Sequence, residues 1–478
     1  MRRVLPLAAL ALLASGCASV RPEAAADDLR ATLADRAPVT WRTQSAADAE
    51  ADRAIDALLR DSLSADAAVQ IALLNNPRLQ ATYEDLGVAQ AALVQAGLLS
   101  NPVFGGRAIW DLDGDAPDLG FNVALEFLDV LWLPLRKRVA RSEYDAVRFR
   151  VAEAVLDHAA RTRSAYTRAQ ADRLRLQMQT RIVANAEAAY TASLLLREAG
   201  TIPAADLLAE QARYEAARLD LVRAEQVALE SREALVRAMG LTGARGAIRL
   251  GGRLPPVPET EPLADALGEG ELQLDVAEIE RQSLAASLAL QAARARAEAV
   301  AHRLGLADVE AVLPELEIGG EVEREEGEWR AGPEVEVTLP LFDQGQARRA
   351  ALRAELRRAR AEYAAVAVDV RSAARVLSAR LASSRRIALQ YQRVLLGLRT
   401  ELSAQLLRQY NAMQVGVFAL LQSQELEAEA ARDYADALAA YWDARTDIDA
   451  LLAGRLPDLG AGALSAPGTA APFRDPGH

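Results

Sequence analysis

Apolar and polar residues recur along this chain with two different periods, and the changes of period mark its elements. From Leu135 to Glu198 no proline or glycine interrupts a helical spacing through Val139, Val147, Val151, Val155, Ala159 and Tyr166. That spacing predicts one helix, roughly 96 Å long at 1.5 Å per residue. Gly200-Thr201-Ile202-Pro203 breaks it, and a second helix is predicted from Ala204 to about Met239. Upstream, Ser64 caps a short helix with Val69, Ala72 and Leu73 on one face. Pro77 then opens a helix that runs from about Arg78 to Leu99 and stops at Ser100-Asn101-Pro102. Residues 18 to about 60, rich in Ala and Asp, read as an extended or loosely helical leader.

Two stretches alternate with period two instead. In the first, Val103 to Leu112 is one arm and Asp113 to Pro117 a turn. In the returning arm Phe121, Val123, Leu125 and Phe127 alternate with Asn122, Ala124 and Glu126, and Pro134 closes the segment. In the second, Leu316, Ile318 and Val322 point one way and Glu315, Glu317, Glu321 and Glu323 the other. Val335, Val337 and Leu339 then alternate with Glu334, Glu336 and Thr338. Each stretch predicts a hairpin with one apolar and one polar face. A row of carboxylates does not fit a dry core, where each unpaired charge costs several kcal/mol. The face carrying Glu315, Glu317, Glu334 and Glu336 therefore meets bulk water or lines a wet lumen, while Glu321 to Glu328 reads as an external loop.

The second half of the chain repeats the first. Ser287 to Ala293 echoes Asn76 to Thr82, Pro314 stands for Pro102, and Leu339-Pro340-Leu341 stands for Leu133-Pro134-Leu135. A second long helix is predicted from Gln346 to Gln409, followed by a break at Gln414-Val415-Gly416-Val417. Leu195-Leu196-Arg197 is matched by Leu406-Leu407-Arg408, and Leu207-Leu208 by Leu420-Leu421. The predicted organisation is a signal peptide (1–16), a leader (17–63) and a first repeat (64–240) with its hairpin at 103–133. A linker (241–265) leads to a second repeat (266–454) with its hairpin at 314–340 and a disordered tail (455–478). In each half the two shorter helices together approach the length of the long one. They are expected to lie end to end along it, with Ala-rich faces packed as coiled coils. The fold class is mainly α with a small β part.

Composition narrows the function. Of 478 residues 51% are hydrophobic and only 5% aromatic, which argues against several large globular cores. A net charge of -12 argues against nucleic acid as a partner. No internal stretch reaches the roughly 18 uninterrupted apolar residues of a spanning helix. His158, His302 and His478 have no metal-ligand spacing, and no nucleophile elbow, phosphate loop or HExxH occurs. Neither an enzyme nor a cofactor is expected. At the N-terminus, Arg2 and Arg3 precede an apolar run from Val4 to Ala14, then Ser15, Gly16 and the only cysteine, Cys17.

Ala14-Ser15-Gly16-Cys17 resembles the bacterial lipobox, with Ala14 where Leu is usual and Ala18 where Asp favours inner-membrane retention. The resemblance implies a covalent lipid, palmitate included, on Cys17. The alternative reading is an ordinary signal peptide with an incidental cysteine. Over nearly all of the mature chain, the duplicated motifs resemble the TolC-like outer-membrane efflux factors. Those motifs are NPRLQAT at Asn76, the Ala96-Gly97 to Asn101-Pro102 entry, LPLFDQG at Leu339, the LP-rich linker and the LLxxQ pairs. The resemblance implies a homotrimer in the outer membrane of a Gram-negative bacterium. Each protomer gives four strands to one twelve-stranded barrel, continued by a periplasmic α-barrel. It implies that Gly200, Thr201, Ile202, Val415, Gly416 and Val417 form the tips that dock on a periplasmic adaptor and, through it, on an inner-membrane pump. Aspartates that constrict the entrance in the family are replaced after the second tip by Ala419 and Gln422, which leaves Asp206 as the gate candidate. The rival reading is a non-channel periplasmic coiled-coil lipoprotein, a scaffold or spacer. Metal ions, drugs, solvents and a secreted protein all remain compatible as cargo, and the acidic face tilts towards cations.

Overall fold

The computed structural model describes residues 22–42, 46–110, 118–258, 275–312, 316–325 and 328–458. Cys17, Glu315 and the Asp113–Pro117 turn lie outside them. In chain order the elements are α1 (Pro22–Leu33), α2 (Ala46–Leu58), α3 (Ala65–Asn75), α4 (Pro77–Gln95), β1 (Val103–Ile109), β2 (Asp118–Glu126), α5 (Leu128–Glu198) and α6 (Ala204–Ala238). There follow α7 (Val276–Ala286), α8 (Leu288–Glu310), β3 (Leu316–Glu325), β4 (Glu328–Val337), α9 (Gln346–Gln390), a π-helical turn (Tyr391–Leu395), α10 (Leu396–Asn411) and α11 (Val417–Leu452). The order of elements from α3 to α6 recurs from α7 to α11. Asn76 separates α3 from α4, its side chain accepting from the backbone N–H groups of Arg78 and Leu79. Ser287 occupies the corresponding break between α7 and α8.

Two compact units divide the fold, and neither is a single repeat. One comprises Met1–Ala57, Gln70–Val155 and Leu288–Val368; the other comprises Leu58–Val69, Leu156–Ser287 and Asp369–His478. In the first, the segment expected to be a loose leader is packed helix. Ala25, Leu29 and Leu33 recur every four residues on α1 and are buried, as is Ile55 of α2. Trp41 donates from its indole to Glu84 (2.8 Å) and the Tyr144 hydroxyl donates to Asp28 (2.9 Å), tying this segment to α4 and α5.

The first unit also holds the sheet, four antiparallel strands in the order β1-β2-β3-β4. The strand from Leu316 runs on to Glu325, so Glu321 and Glu323 lie in β3 and not in the external loop expected there. The reason is pairing: β2 continues to Leu119, which stands opposite Arg324, and β4 pairs β3 as far as Glu325. The long helix starts earlier than expected, at Leu128 instead of Leu135, and carries Pro134 inside it. Proline forfeits one helical hydrogen bond. Leu128 and Trp132 compensate by packing on Leu306, and the Asp129 carboxylate is held by the Ser100 N–H (3.1 Å) and Arg136 (2.9 Å).

In the second unit the core is small and aliphatic, with Ala373, Ala374, Leu377, Tyr441, Ala444 and Ile448 all nearly inaccessible. The LP-rich linker is built into it as far as 258. Carbonyls of this proline-rich stretch lack backbone partners, and side chains supply them. Trp442 donates to Pro255 O (2.9 Å) and Arg385 to Pro258 O (3.1 Å). The tail expected to be disordered from 455 begins with a buried residue, Arg455, paired to Asp157 (2.7 Å) and Asp447 (3.2 Å).

Among the described glycines of the sheet, Gly319 lies closest against backbone. A Cβ there meets the Val123 carbonyl oxygen at 2.6 Å, a backbone atom that cannot step aside. Gly319→Val is expected to cost roughly 1–3 kcal/mol or more and to abolish amide-exchange protection in β2 and β3. Gly332→Ala, with nothing within 4 Å of the added carbon, is expected to leave protection unchanged.

Candidate functional site: the sheet faces and the helical tips

The register sorts the strand residues onto two chemically opposite faces. Phe121, Val123 and Leu125 stand opposite Val322, Gly320 and Ile318, while Ile318 and Leu316 stand opposite Val335 and Val337. Phe104 stacks on Phe121 with ring centroids 6.1 Å apart. No described element of the unit covers most of this face: Phe104, Val123, Ile318, Val335 and Val337 are all exposed, while Leu316 packs against the helices.

The opposite face is acidic and arranged in rows. Glu126, Glu317 and Glu336 stand side by side across β2, β3 and β4. Like charges placed directly opposite destabilise a sheet unless water screens them, so this row needs a wet setting. In the next rows glycine makes room: Glu334 faces Gly319, and Glu321 faces Gly332. At the far end Arg107 reaches across Gly120 to Glu323 at 2.6 Å, which it does because Gly120 has no side chain to block it. The structure thus brings Glu317, Glu334 and Glu336 together on one face. Glu126, absent from the sequence candidates, belongs with them. The alternation that ends β2 already put it there, opposite in sense to Leu125 and Phe127.

Both tip segments belong to the second unit. At the first, Gly200 adopts φ +71, the Thr201 N–H donates to Leu196 O (2.9 Å) and the Thr201 hydroxyl donates to the same oxygen (2.7 Å). Arg197 donates to Ile202 O at 3.1 Å. At the second, the Gln414 N–H donates to Gln409 O (2.9 Å) and the left-handed position is filled by Met413, φ +58. Both helices therefore end in the same cap. Gly200 and Met413 are related by the spacing that also relates Leu207 to Leu420. The match of Leu195-Leu196-Arg197 to Leu406-Leu407-Arg408 is out of step with it by two residues. Val415 and Gly416 complete the second turn, and Val417 opens α11. Asp206 is exposed in the first turn of α6, where the helix N-terminus favours a carboxylate, and Ala419 takes its place in α11.

Behind the tips the helical hairpins zip together through small residues, with Ile182, Ala186, Ala217 and Ala428 in one cluster. Tyr190 stacks on Tyr214 at 5.9 Å. Arg213 lies between Glu210 (3.5 Å) and Glu425 (4.0 Å). Burial raises the Glu425 carboxyl above its ordinary value, Arg213 opposes the shift, and Glu429 and Glu210 add to it.

Among the described residues no helix is long and apolar enough to cross a membrane, and no group of acidic, His or Cys residues has the geometry of a metal site. No protein-family model matches the chain, and no curated protein matches it. Solved structures do. The outer-membrane channel OprN superimposes with a TM-score of 0.66 at 17% identity, over 82% of this chain and 90% of its own. CusC, studied for folding and transmembrane channel formation, gives 0.62 at 15% identity, over 82% and 92%. The CmeC outer-membrane channel of Campylobacter jejuni gives 0.62 at 15% identity, over 82% and 86%. This chain has the TolC-channel fold. Proteins that share the TolC fold here are channels rather than enzymes. The mainly helical chain with its four-stranded antiparallel sheet is the protomer architecture of that fold.

Two outcomes at the tips follow. A non-glycine residue in the left-handed region costs about 1 kcal/mol, so Met413→Gly is expected to slow amide exchange at the end of α10 and Gly200→Ala to hasten it at the end of α5. Because the folded pKa of Glu425 lies above its ordinary value of 4.5, its contribution to stability is full below that value. It is lost as pH rises through the folded pKa. The packing of α6 on α11 should therefore loosen over that window, read as exchange corrected for its intrinsic pH dependence, and Glu425→Gln should flatten the response.

Proposed function

We propose that this protein is a trimeric outer-membrane exit duct for a tripartite export system. The observation that carries this reading is a sheet with one uncovered apolar face, one acidic face and two unpaired edges. β2, β3 and β4 have 9, 10 and 10 residues, and a tilted strand needs about 9–11 to cross a bilayer. Open edges are not tolerated in lipid. β4 runs antiparallel to β1, so β4 of one copy can pair with β1 of the next and continue the same sheet. Three copies close it into a twelve-stranded barrel with the apolar face in lipid and the glutamates in the lumen.

The helices support the same head-to-tail assembly. Leu208, Leu219, Val222 and Leu229 form an exposed stripe on α6, and Val376, Ile387, Val394 and Leu398 form another that runs from α9 through the π-helical turn into α10. The two stripes differ, and different patches meeting copy to copy generate rings. Gly200, Thr201, Ile202, Val415, Gly416 and Val417 then dock on a periplasmic adaptor coupled to an inner-membrane pump. A lipid on Cys17 anchors the chain to the outer membrane, and Asp206 contributes to the entrance. The partner supplies energy and this chain supplies a wet passive path, so no chemistry is required of it. A scaffold that buries its own hairpins is the weaker reading, because residues such as Val335 and Val337 have no cover.

In planar bilayers the purified protein is expected to conduct and to prefer cations under a KCl gradient. Glu126→Gln, Glu317→Gln and Glu336→Gln together should move the reversal potential towards zero without abolishing conductance. A monomer that gives no conductance, and that stays soluble without detergent once Cys17 is replaced by Ser, would sink the channel reading in favour of the scaffold.

A further inference from the structure

We propose that a basic collar at the helix end of the sheet binds the headgroups of anionic phospholipids. The collar consists of Lys137 and Arg138 after β2, and Arg353, Arg357 and Arg360 after β4. The proposal rests on the outer-membrane reading above and names a lipid partner for the same unit.

In an antiparallel sheet of order β1-β2-β3-β4, β2 and β4 run the same way and leave by the same end. Both exits carry the same two-part sequence. First come exposed apolar residues: Val130 and Leu131 after β2, and Leu339, Leu341 and Phe342 after β4, with Phe342 at 93% exposure. They lie just past Glu126 and Val337, the last paired residues of β2 and β4. Basic residues follow, Arg136 to Arg138 on α5 and a run from Arg348 to Arg360 on α9.

Some of these charges are already used within the unit. Arg136 pairs with Asp129, Arg348 with Glu310, Arg349 with Asp308 and Arg358 with Glu362. Among the described residues Lys137, Arg138, Arg353, Arg357 and Arg360 are exposed and have no carboxylate within salt-bridge reach. Arg353, Arg357 and Arg360 are spaced to share one helix face. In a chain of net charge -12, unpaired cations held at one end of an apolar sheet call for an anionic surface.

The distances suit a bilayer interface. At 1.5 Å per residue Arg353 stands roughly 10 Å, and Lys137 roughly 14 Å, along its helix from the helix start. A headgroup layer is about 6 Å deep on each side, and charge acts over about a further 8 Å at physiological salt. Apolar side chains at the hydrocarbon boundary with Lys and Arg just outside it make an interfacial anchor. A soluble acidic protein or free phosphate would satisfy the charges but leave Phe342 and Leu341 in water.

The test uses full-length protein in a neutral detergent, offered phosphatidylglycerol or phosphatidylcholine and read by native mass spectrometry. Preferential retention of phosphatidylglycerol, weakening with salt, is expected. K137Q/R138Q/R353Q/R357Q should weaken that retention about fivefold per charge removed, whereas K137R/R138K/R353K/R357K should keep it. Lys137 is the only lysine in the chain. Its acylation by an amine-reactive reagent should therefore slow with phosphatidylglycerol and not with phosphatidylcholine, a readout on wild type that holds even if the fourfold Gln variant does not fold. Equal retention of both lipids, or Lys137 acylation that ignores phosphatidylglycerol, overturns the collar. A protein that conducts but shows no lipid preference loses only the collar. One that shows the preference but never conducts loses only the duct.

Discussion

A backbone N–H or C=O left without a partner in hydrocarbon costs several kcal/mol, and β1 and β4 each present a row of such groups along one edge. The same sheet turns Val123, Ile318, Val335 and Val337 outward with nothing over them. Either feature alone has a modest remedy: an edge can be capped by a charge or a bulge, and an apolar face can be roofed by a helix. Together they leave continuation of the sheet into lipid, copy to copy, as the arrangement that satisfies both. The acidic rows are the complement of that arrangement. Glu126, Glu317 and Glu336 stand directly side by side and tolerate one another only where water screens them.

The helices solve a different problem. A chain with few aromatics cannot hold long helices together by bulky cores, and this one uses close approach instead. Ala186, Ala217 and Ala428 let backbones come near, and one stacked pair, Tyr190 on Tyr214, steadies the hairpin near its tip. The ends are then closed by backbone geometry. Gly200 and Met413 take the same left-handed position in the two repeats, and the glycine does so without the steric cost that methionine carries. The π-helical turn at Tyr391–Leu395 lies within the corresponding long run of the second repeat. A π turn accommodates an extra residue in an α-helix, so small differences in length between the repeats need not disturb the caps.

Much of this was legible in the order of residues because period and punctuation are local. Alternation marked both hairpins and put Glu317, Glu334 and Glu336 on one side. Gly200 to Pro203 and Gln414 to Val417 marked both breaks. The misses have a common cause. Leu128 to Leu133 was read as the tail of a hairpin because Pro134 looked like a stop, yet Trp132 packing on Leu306, far along the chain, makes it helix. Glu321 to Glu328 was read as an external loop, yet β2, far away in sequence, supplies a partner as far as Arg324. Trp41 and Arg455 were assigned to loose ends because Glu84 and Asp157, which hold them, are distant in sequence.

By itself the sequence determined the long helices and the two hairpins though not their ends, that the two halves repeat, and that one strand face is apolar and the other acidic. Each of these follows from torsional preference and the period of side-chain direction along a few neighbouring residues. Only the tertiary structure decided the register that lines up Glu126 with Glu317 and Glu336, the exit of β2 and β4 from one end, and the exposure of most of the apolar face. Those depend on which distant segments pair and on what remains uncovered after they do. Pairing and cover belong to surfaces in contact and not to the order of residues along a chain.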